Sequence, residues 1–448
     1  MFRAWQPFRY EYLLLVIFLF STAFLLMPWI HGNDGAGYYA PTRSLVVDSD
    51  LDLQNEYEFF VQDRPLAAIR PDPNTGKYYS QYPVGVSMVW LPAAYVAHGI
   101  SMLFGLPPNG YTTLYYWIIC FWSAFLAYIG IWLLFRFLSR QFDRTVAFWS
   151  VLGGWLGTNL FYYMFFEASL SHAVSFFVMT LFFLQSHKLH YQKGYNPYLE
   201  WAKIGLLAGL VFIIRYQDGI VWLIPGVIAL GKYLDFRQKN PGKAPVRLVG
   251  AHLLAILVTG LAILPDLLMN LHHHQQLWVS GPAFYHGSFN PQQWWYGLKV
   301  LFSANHGLLF WTPAVALALT GLILNPRKAE RNLILITLGL HLMVTGFWSS
   351  WDGAQSYSHR FFVGYIPIFM YGFAVVQVRL FAGRSSLFRG ILLFFILLNG
   401  TLMVQYGLRM IPAEGPLDIE QFLTNFQALP DMLAGVWDFI QSKIVPEK

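Results

Sequence analysis

Long apolar runs separated by short polar stretches are the feature that most restricts how this 448-residue chain can fold. Apolar residues make up 56% of the chain and charged residues only 12%, whereas an average soluble domain has roughly 25% charged residues. This composition excludes a globule in water. The strand alternation of a membrane barrel is missing, so the runs predict transmembrane helices, whose backbone hydrogen bonds are satisfied internally. The runs lie at about 12–30, 113–135, 146–166, 170–187, 203–215, 219–231, 248–268, 306–324, 332–350, 361–378 and 390–408.

Clusters of basic residues between these runs orient them. Lys and Arg are enriched in cytoplasmic loops, and 19 of the 29 lie on one side if the run 84–106 does not cross the membrane. We therefore predict that 84–106 is a juxtamembrane or re-entrant element, that 12–30 is a retained signal anchor, and that the N-terminus is cytoplasmic. The predicted fold is an all-α polytopic membrane protein with about 11 transmembrane helices and external juxtamembrane helices. The clusters are Arg3/Arg9, Arg136/Arg140/Arg144, Lys188/Lys193/Lys203, Lys232/Arg237/Lys239/Lys243/Arg247, Arg327/Lys328/Arg331 and Arg379/Arg384/Arg389.

The polar segments predict a transmembrane domain over residues 1–408 and an external tail of interfacial helices over 409–448. The first external segment, 31–85, has eight carboxylates against four basic residues and includes Asp63. The second, 269–305, is rich in aromatic and histidine residues such as Tyr285 and His286, which suits the level of the lipid headgroups. We therefore expect the function on the outer face of the cell (inner or plasma) membrane.

Asp34 follows the first apolar run by four residues, within GNDGAGYY. A carboxylate at this level can act as a general base, and the alternative is a solvated loop acid or a helix cap. Further along, Asp48, Asp50 and Asp52 could hold a divalent cation through oxygen ligands, although such loops are usually only solvated. The histidine run 272–274 points in different directions on a helix and lacks a nearby carboxylate, so it does not predict a metal site.

Ionisable residues also recur at the predicted outer ends of later runs, where charged groups are commonly functional. Each has a plain alternative: Glu167 facing water beside a capping serine, Arg215 pairing only with Asp218, and Arg360 snorkelling to the interface. The P-loop, GxSxG, HExxH and CxxC patterns are absent from the sequence, which argues against an ATP-driven pump or a protease of those kinds. The stretches are FFEASLSH with Glu167 and His172, FIIRYQDG with Arg215 and Asp218, LFSANHGLLFWTP with His306, and WSSWDGAQSYSHRFF with Asp352, His359 and Arg360.

The order of these motifs resembles the GT-C superfamily of membrane glycosyltransferases, which use polyprenyl-phosphate-linked sugars. The similarity is to the branch that contains protein O-mannosyltransferases and lipid A aminoarabinose transferases, and it runs along most of the chain. Bacterial members tend to have a Gly-Gly pair and Phe-Gly-x-Arg in the last motif, where this chain has Asp352-Gly353 and Tyr357-Ser358-His359-Arg360. The motifs are NDGAGYYAPTRSLVVDSDLDLQNEY, SQYPVGVSMVWLPAAYVAH, RFLSRQFDR, EASLSH, GLLAGLVFIIRYQDGIVWLIP, LFSANHGLLFWTP and WSSWDGAQSYSHRFF.

The resemblance implies an inverting glycosyltransferase in which Asp34 is the catalytic carboxylate. A polyprenyl-phosphate sugar is the implied donor, its phosphate is the leaving group, and a metal cofactor is the weaker alternative. The acceptor is not specified, and nucleic acid is not an expected partner. The residues expected to bind substrate are Arg43, Tyr82, Glu167, His172, Arg215, His306 and Arg360.

Two other functions fit a polytopic membrane protein. A secondary transporter or flippase for a lipid-linked solute would carry ionisable residues near the midplane and paired discontinuous helices. A non-catalytic scaffold subunit of an envelope assembly would need neither. The acids of this sequence cluster outside the apolar runs, which favours the enzyme.

Overall fold

The computed structural model describes residues 9–62, 71–192, 194–279 and 289–444. Five residues used in the sequence predictions lie outside the described residues: Arg3, Asp63, Lys193, Tyr285 and His286. Within the described ranges the chain is helical, and its only β-type pairings are two isolated bridges. The prediction of an all-α architecture is therefore confirmed.

The helices are introduced here in chain order. They are α1 (Arg9–Leu25), α2 (Gly32–Arg43), α3 (Gln54–Val61), α4 (Gly85–Leu103), α5 (Thr113–Gln141), α6 (Arg144–Leu156), α7 (Leu160–Phe165), α8 (Ser171–Tyr191), α9 (Pro197–Ile214), α10 (Leu223–Lys239), α11 (Val246–His274), α12 (Tyr296–Phe302), α13 (Leu308–Trp311), α14 (Ala314–Ile323), α15 (Lys328–Gly346), α16 (Ile366–Leu380), α17 (Ser385–Gly407), α18 (Ile419–Thr424) and α19 (Leu429–Ile444). A π-helical turn covers Ser44–Asp48, and 3-10 helices cover Tyr216–Trp222, Pro291–Gln293, Arg360–Tyr365 and Asn425–Ala428.

Seven segments of the described chain are long and apolar enough to cross a membrane: α4, α5, α9, α10 with its preceding 3-10 turn, α11, α16 with its preceding 3-10 turn, and α17. Helices α1 and α14 are apolar but shorter. Because so many apolar helices can be satisfied only in lipid, the chain is a multi-pass membrane protein.

Contacts between helix ends show that the bundle has two distinct ends. At one, Arg144 at the start of α6 pairs with Glu11 of α1 (2.5 Å), and Tyr191 at the end of α8 donates to Glu330 near the start of α15 (2.9 Å). At the other, the segment after α1 bonds to Phe165, and Asp34 meets Arg360. We call these the Arg327 end and the Asp34 end, after residues that lie there. The helices that run between them in alternating directions are α1, α5, α6, α8, α9, α10, α11, α14, α15, α16 and α17.

Helix α4 has both of its ends near the Asp34 end of the bundle. It lies antiparallel to the first turns of α5, since Trp90 donates to Ser123 (2.8 Å) and His98 bonds to Tyr115 (2.8 Å). Its first residue, Gly85, abuts the backbone of Ile213 at the end of α9. The juxtamembrane or re-entrant placement of 84–106 stays a prediction, because the length and composition of α4 also suit a crossing helix.

The centre of the bundle is packed around α16, since 89% of the apolar stretch formed by α16 and its preceding 3-10 turn is buried, whereas the apolar stretches of α11 and α17 are 11% and 22% buried. A Cβ added at Gly372 of α16 would lie 2.3 Å from the carbonyl oxygen of Ala318 in α14. Glycine is required at that position because the two backbones touch, as is usual where membrane helices associate through small residues.

The stretch GNDGAGYYAPTR forms helix α2, where the sequence suggested an open loop. The fold overrides the low helix propensity of glycine because one side of α2 packs against the region before α4. Tyr38 and Tyr39 are buried, and a Cβ at Gly37 would overlap the ring of Tyr82. Helix α2 therefore holds Asp34 in its first turn, a favourable position for a carboxylate near the positive helix end.

The C-terminal segment lies at the Asp34 end. The backbone amide of Leu417 donates to the carbonyl of Ala304 (3.0 Å), and Gln405 of α17 donates to the carbonyl of Phe422 in α18 (3.2 Å). Helix α19 exposes Leu433 and Trp437, as an interfacial helix would. The interfacial role of this tail stays a prediction.

Candidate active site

Asp34, Tyr82 and Arg360 meet although they are far apart in the chain. Asp34 Oδ2 accepts a hydrogen bond from Arg360 Nη1 (2.7 Å), and its Oδ1 accepts one from the Tyr82 hydroxyl (2.5 Å). The Asp34 side chain is 25% exposed and that of Arg360 is 17% exposed. The carboxylate is thus oriented by two donors while its remaining lone pairs stay accessible.

Arg360 reaches Asp34 from the first residue of the 3-10 helix Arg360–Tyr365. The preceding loop is tightly turned, and a Cβ at Gly353, which has φ of +84°, would crowd the Arg360 side chain. One guanidinium nitrogen bonds to Asp34, but Arg360 Nε is buried and has no hydrogen-bond partner among the described residues. A buried N–H without an acceptor is uncommon and marks a place where an oxygen ligand would be stabilised.

Glu167 lies beside this site, in the loop between α7 and α8. Its carboxylate is 3.7 Å from His31, which directly precedes α2. The pKa of Glu167 is raised to about 8. Burial is the largest cause, the negative charge of Asp34 acts in the same direction, and the nearby Arg360 acts against both. At neutral pH Glu167 is therefore mostly protonated and can donate a hydrogen bond.

A second polar cluster surrounds Arg215, directly after α9. Arg215 Nη1 donates to Ser171 Oγ (2.9 Å) and to His172 Nδ1 (3.1 Å), and its Nε lies 3.8 Å from Asp218. A guanidinium only donates, so the Nδ1 of His172 acts as the acceptor here. Arg215 and Asp218 pair, which was the alternative to a substrate role for Arg215. Arg215 also contacts Ser171 and His172, the first two residues of α8.

Phe361 joins the two clusters. The Arg360 guanidinium carbon lies 5.6 Å from the centre of its ring and the Arg215 guanidinium carbon 5.3 Å. Both distances suit a cation–π contact, so one aromatic ring contacts both guanidinium groups. No sequence motif singled out Phe361, and only its position next to Arg360 could have drawn attention to it.

Two residues predicted to bind substrate lie apart from the Asp34 cluster. Arg43 pairs with Asp48 and with Glu56 (2.8 Å) and donates to the carbonyl of Asn109 (3.0 Å), so the fold itself occupies its guanidinium. His306 has φ of +55° and packs on Trp311, with ring centres 5.1 Å apart. Its neighbour Asn305 donates to Asp352 (2.8 Å), which ties this loop to the one before Arg360. The substrate roles of Arg43 and His306 stay predictions.

The acidic stretch after α2 does not present a set of oxygen ligands. Asp48 pairs with Arg43 and accepts from Asn55 (2.7 Å), while Asp50 accepts from Ser44 (2.7 Å). Asp52 accepts from the backbone of Gln54 at the start of α3 (3.1 Å). In the part of the chain that the structure describes, no group of three or more His, Cys, Asp or Glu residues could hold a metal ion. The alternative of a divalent cation on Asp48, Asp50 and Asp52 is therefore not supported.

Known structures share this architecture, although no family model and no curated protein matches the sequence. ArnT from Cupriavidus metallidurans bound to undecaprenyl phosphate superposes with a TM-score of 0.53 at 14% identity, covering 97% of this chain and 74% of that one. The apo state of ArnT gives a TM-score of 0.51 at 13% identity, covering 97% of this chain and 76% of that one. The chain shares the fold of ArnT. This confirms the resemblance that the order of motifs indicated, and the low identity limits the comparison to the fold.

In this fold the cluster of Asp34, Tyr82, Glu167 and Arg360 is formed by segments far apart in sequence. Arg215 and His172 stand one aromatic ring away, through Phe361. His31 and Ser171 complete the two clusters and were not among the predicted site residues. Ser171 lies next to the predicted His172, but no signal in the sequence identified it as a partner of Arg215.

Proposed function

We propose that this protein is an inverting glycosyltransferase that moves a sugar from a polyprenyl-phosphate carrier to an acceptor on the non-cytoplasmic face of the membrane. The observation that carries the proposal is the Asp34 carboxylate, held by Arg360 and Tyr82 with a buried Arg360 N–H left over. The fold supports it, because ArnT of the same architecture binds undecaprenyl phosphate.

The proposed reaction has one covalent step. An acceptor hydroxyl oxygen attacks the anomeric carbon from the face opposite the phosphate, the new C–O bond forms, and the bond to the phosphate oxygen breaks. The hydroxyl proton passes to Asp34, and the polyprenyl phosphate leaves with the bonding electrons. Since phosphate is already a good leaving group, one carboxylate base suffices, whereas a glycosidase needs a second carboxylic acid.

Arg360 has the right position to stabilise the phosphate. Its guanidinium can keep one nitrogen on Asp34 while Nε, which has no partner among the described residues, donates to a phosphate oxygen. The positive charge then serves the base and the leaving group together. Arg215, which contacts the same Phe361 ring, is the second cation within reach of a lipid-borne phosphate.

Glu167 supports this assignment of roles. With its pKa raised to about 8 by burial, it is neutral at pH 7 and does not repel an incoming phosphate. As a neutral acid it can donate a hydrogen bond to the sugar or to the phosphate. The proposed base therefore works beside a hydrogen-bond donor, and the site avoids a second negative charge.

The proposed orientation follows from charge. The helix ends opposite Asp34 carry basic clusters such as Arg327/Lys328/Arg331 and Arg379/Arg384/Arg389. Basic loops favour the cytoplasm, so the Asp34 end faces outward and α1 begins on the cytoplasmic side of the inner or plasma membrane.

The test is sugar transfer by the purified protein supplied with a polyprenyl-phosphate sugar. Asp34→Asn should lower the transfer rate by about 10²–10⁴, the usual contribution of a general base, while polyprenyl phosphate still binds. Glu58→Gln, which changes an exposed carboxylate of α3, is the matched control and should keep full activity. Asp34→Asn activity equal to that of the control would reject the assignment of the base.

A second variant tests the phosphate contact. Arg360→Ala should weaken binding of the donor more than that of the acceptor, measured by titration of each ligand separately. If the protein moves the intact lipid-linked sugar across a bilayer without cleaving it, the transporter alternative is correct.

A further inference from the structure

A cavity of about 160 Å³ lies at the Arg327 end, far from the site described above. Its polar lining comes from four helix ends: Gln141 closes α5, Asn325 follows α14, Arg327 precedes α15, and Arg379 lies near the end of α16. Tyr371 of α16 completes the polar lining. All these helices run toward Asp34 or away from it, so the cavity and the proposed active site lie at opposite ends of the bundle.

Two amide groups in this cavity have unused donors. Asn325 is 1% exposed; its Oδ1 accepts from the backbone amide of Arg327 (3.1 Å), and its Nδ2 lies near the Tyr371 hydroxyl without a hydrogen bond of normal length to any described residue. Gln141 uses Oε1 to accept from Arg327 Nη1 (3.2 Å), and its buried Nε2 is also without a partner. The accepting contacts fix which way each amide points, so the unpartnered atoms are both N–H donors. Tyr371 places its hydroxyl beside Asn325 and Arg327.

Arg327 and Arg379 supply the positive charge at the cavity. Arg379 makes no ion pair with any described residue. Arg327 is 3.6 Å from Glu330, 3.3 Å from His187 and in cation–π contact with Tyr191. Glu330 is the one carboxylate in contact with this group, and it also accepts from the Tyr191 hydroxyl. The carbonyl ends of α5, α14 and α16 add partial negative charge, so the attraction for an anion comes from Arg379, which has no carboxylate partner among the described residues, and from the N–H donors.

We propose that this cavity binds a phosphate group, carried by an anionic phospholipid or present as free phosphate. Two arginines and two orphaned amide donors suit an anion and leave a cation without ligands. The volume, roughly that of five water molecules, is large enough to admit a phosphate group. Val378 and Leu380, in the last turn of α16, are exposed beside Arg379 and offer an apolar surface to an acyl chain at the mouth of the cavity. Basic pockets between membrane helices are a known way to hold anionic headgroups.

The experiment uses the full-length protein in detergent, titrated with phosphatidylglycerol, with a diacylglycerol of the same acyl chains, and with sodium phosphate. Thermal unfolding followed by tryptophan fluorescence and lipid retention in native mass spectrometry report binding. Phosphatidylglycerol should raise the unfolding midpoint and stay bound, and diacylglycerol should do neither. A response to sodium phosphate alone identifies free phosphate as the ligand and supports the same site.

Two variants locate the binding. Asn325→Asp keeps the acceptor used by Arg327 but replaces the free donor with a negative oxygen, and Arg379→Gln removes a charge that has no partner in the described chain. Each should weaken binding about tenfold, the usual effect of losing a hydrogen bond to a charged group. Arg384→Gln, an exposed arginine at the same end, should bind as the wild type does. If Asn325→Asp does not fold, Arg379→Gln decides.

The proposal is overturned if neither phosphate compound binds, if diacylglycerol binds as well as phosphatidylglycerol, or if Arg384→Gln loses as much affinity as Arg379→Gln. Sugar transfer is not a readout, so these outcomes are independent of the proposed function.

Discussion

Glu167 makes the protein sensitive to alkaline pH, and Glu167→Gln should remove that sensitivity. In the folded protein the pKa of Glu167 is raised from 4.5 to about 8. Its side chain is only 18% exposed, so solvent screens this effect little. A carboxyl with a raised pKa binds its proton more tightly in the folded state. Its contribution to stability is therefore full below pH 4.5 and is lost as the pH rises toward 8. At about 1.4 kcal/mol per unit, the loss comes to about 5 kcal/mol.

Thermal unfolding midpoints of the wild type and of Glu167→Gln, measured in detergent at pH 5 and pH 8.5, check this prediction. The variant, which cannot ionise, should gain stability relative to the wild type between the two pH values. Glu58→Gln changes an exposed acid in the same way and should follow the wild type. Asp34→Asn removes one cause of the raised pKa, so the total loss of stability should be smaller and should be complete at a lower pH.

The reasoning fails if the midpoints of wild type and Glu167→Gln fall in parallel from pH 5 to pH 8.5. Glu167 would then be ionised throughout this range, and its assignment as a neutral donor beside Asp34 would have to be dropped.

Three further predictions concern single contacts. Tyr82→Phe removes the 2.5 Å hydrogen bond to Asp34 and should lower kcat about tenfold without changing donor affinity, in steady-state sugar transfer. Arg43→Met leaves the fully buried Glu56 without its cation and should destabilise the fold by about 3–5 kcal/mol in thermal unfolding, most of which Glu56→Gln in the same chain should restore. Gly372→Val places a side chain where the α16 and α14 backbones touch and should abolish a monodisperse peak in size-exclusion chromatography, whereas Gly390→Val on the open side of α17 should not.

The sequence predicted the helices of this fold better than the tertiary contacts between them. Apolar runs and basic clusters carry the direction of each helix, because lipid and the positive-inside bias act on each segment separately. That Asp34, Tyr82 and Arg360 belong to one site depends on contacts between residues up to 326 positions apart. The resemblance to a family placed all three among the candidates, and only the folded chain shows that they touch.

The limits of prediction are visible in Arg43 and α2. Arg43 and Arg360 were both predicted to bind substrate, yet Glu56 and Asp48 occupy Arg43 while Arg360 Nε has no partner among the described residues. Helix α2 forms in a glycine-rich stretch because tertiary packing outweighs propensity. The cavity proposed to bind phosphate could not be predicted from the sequence. Four helix ends supply its donors, and each of them resembles an ordinary connecting turn in the sequence.

The pairing of Asp34 with Arg360 has a consequence for biosynthesis. Arg360 is added to the nascent chain only after the 325 residues that separate it from Asp34. Until then the Asp34 carboxylate lacks this counter-ion, and the proposed phosphate contact does not exist. The proposed catalysis is thereby confined to chains that have already added Arg360.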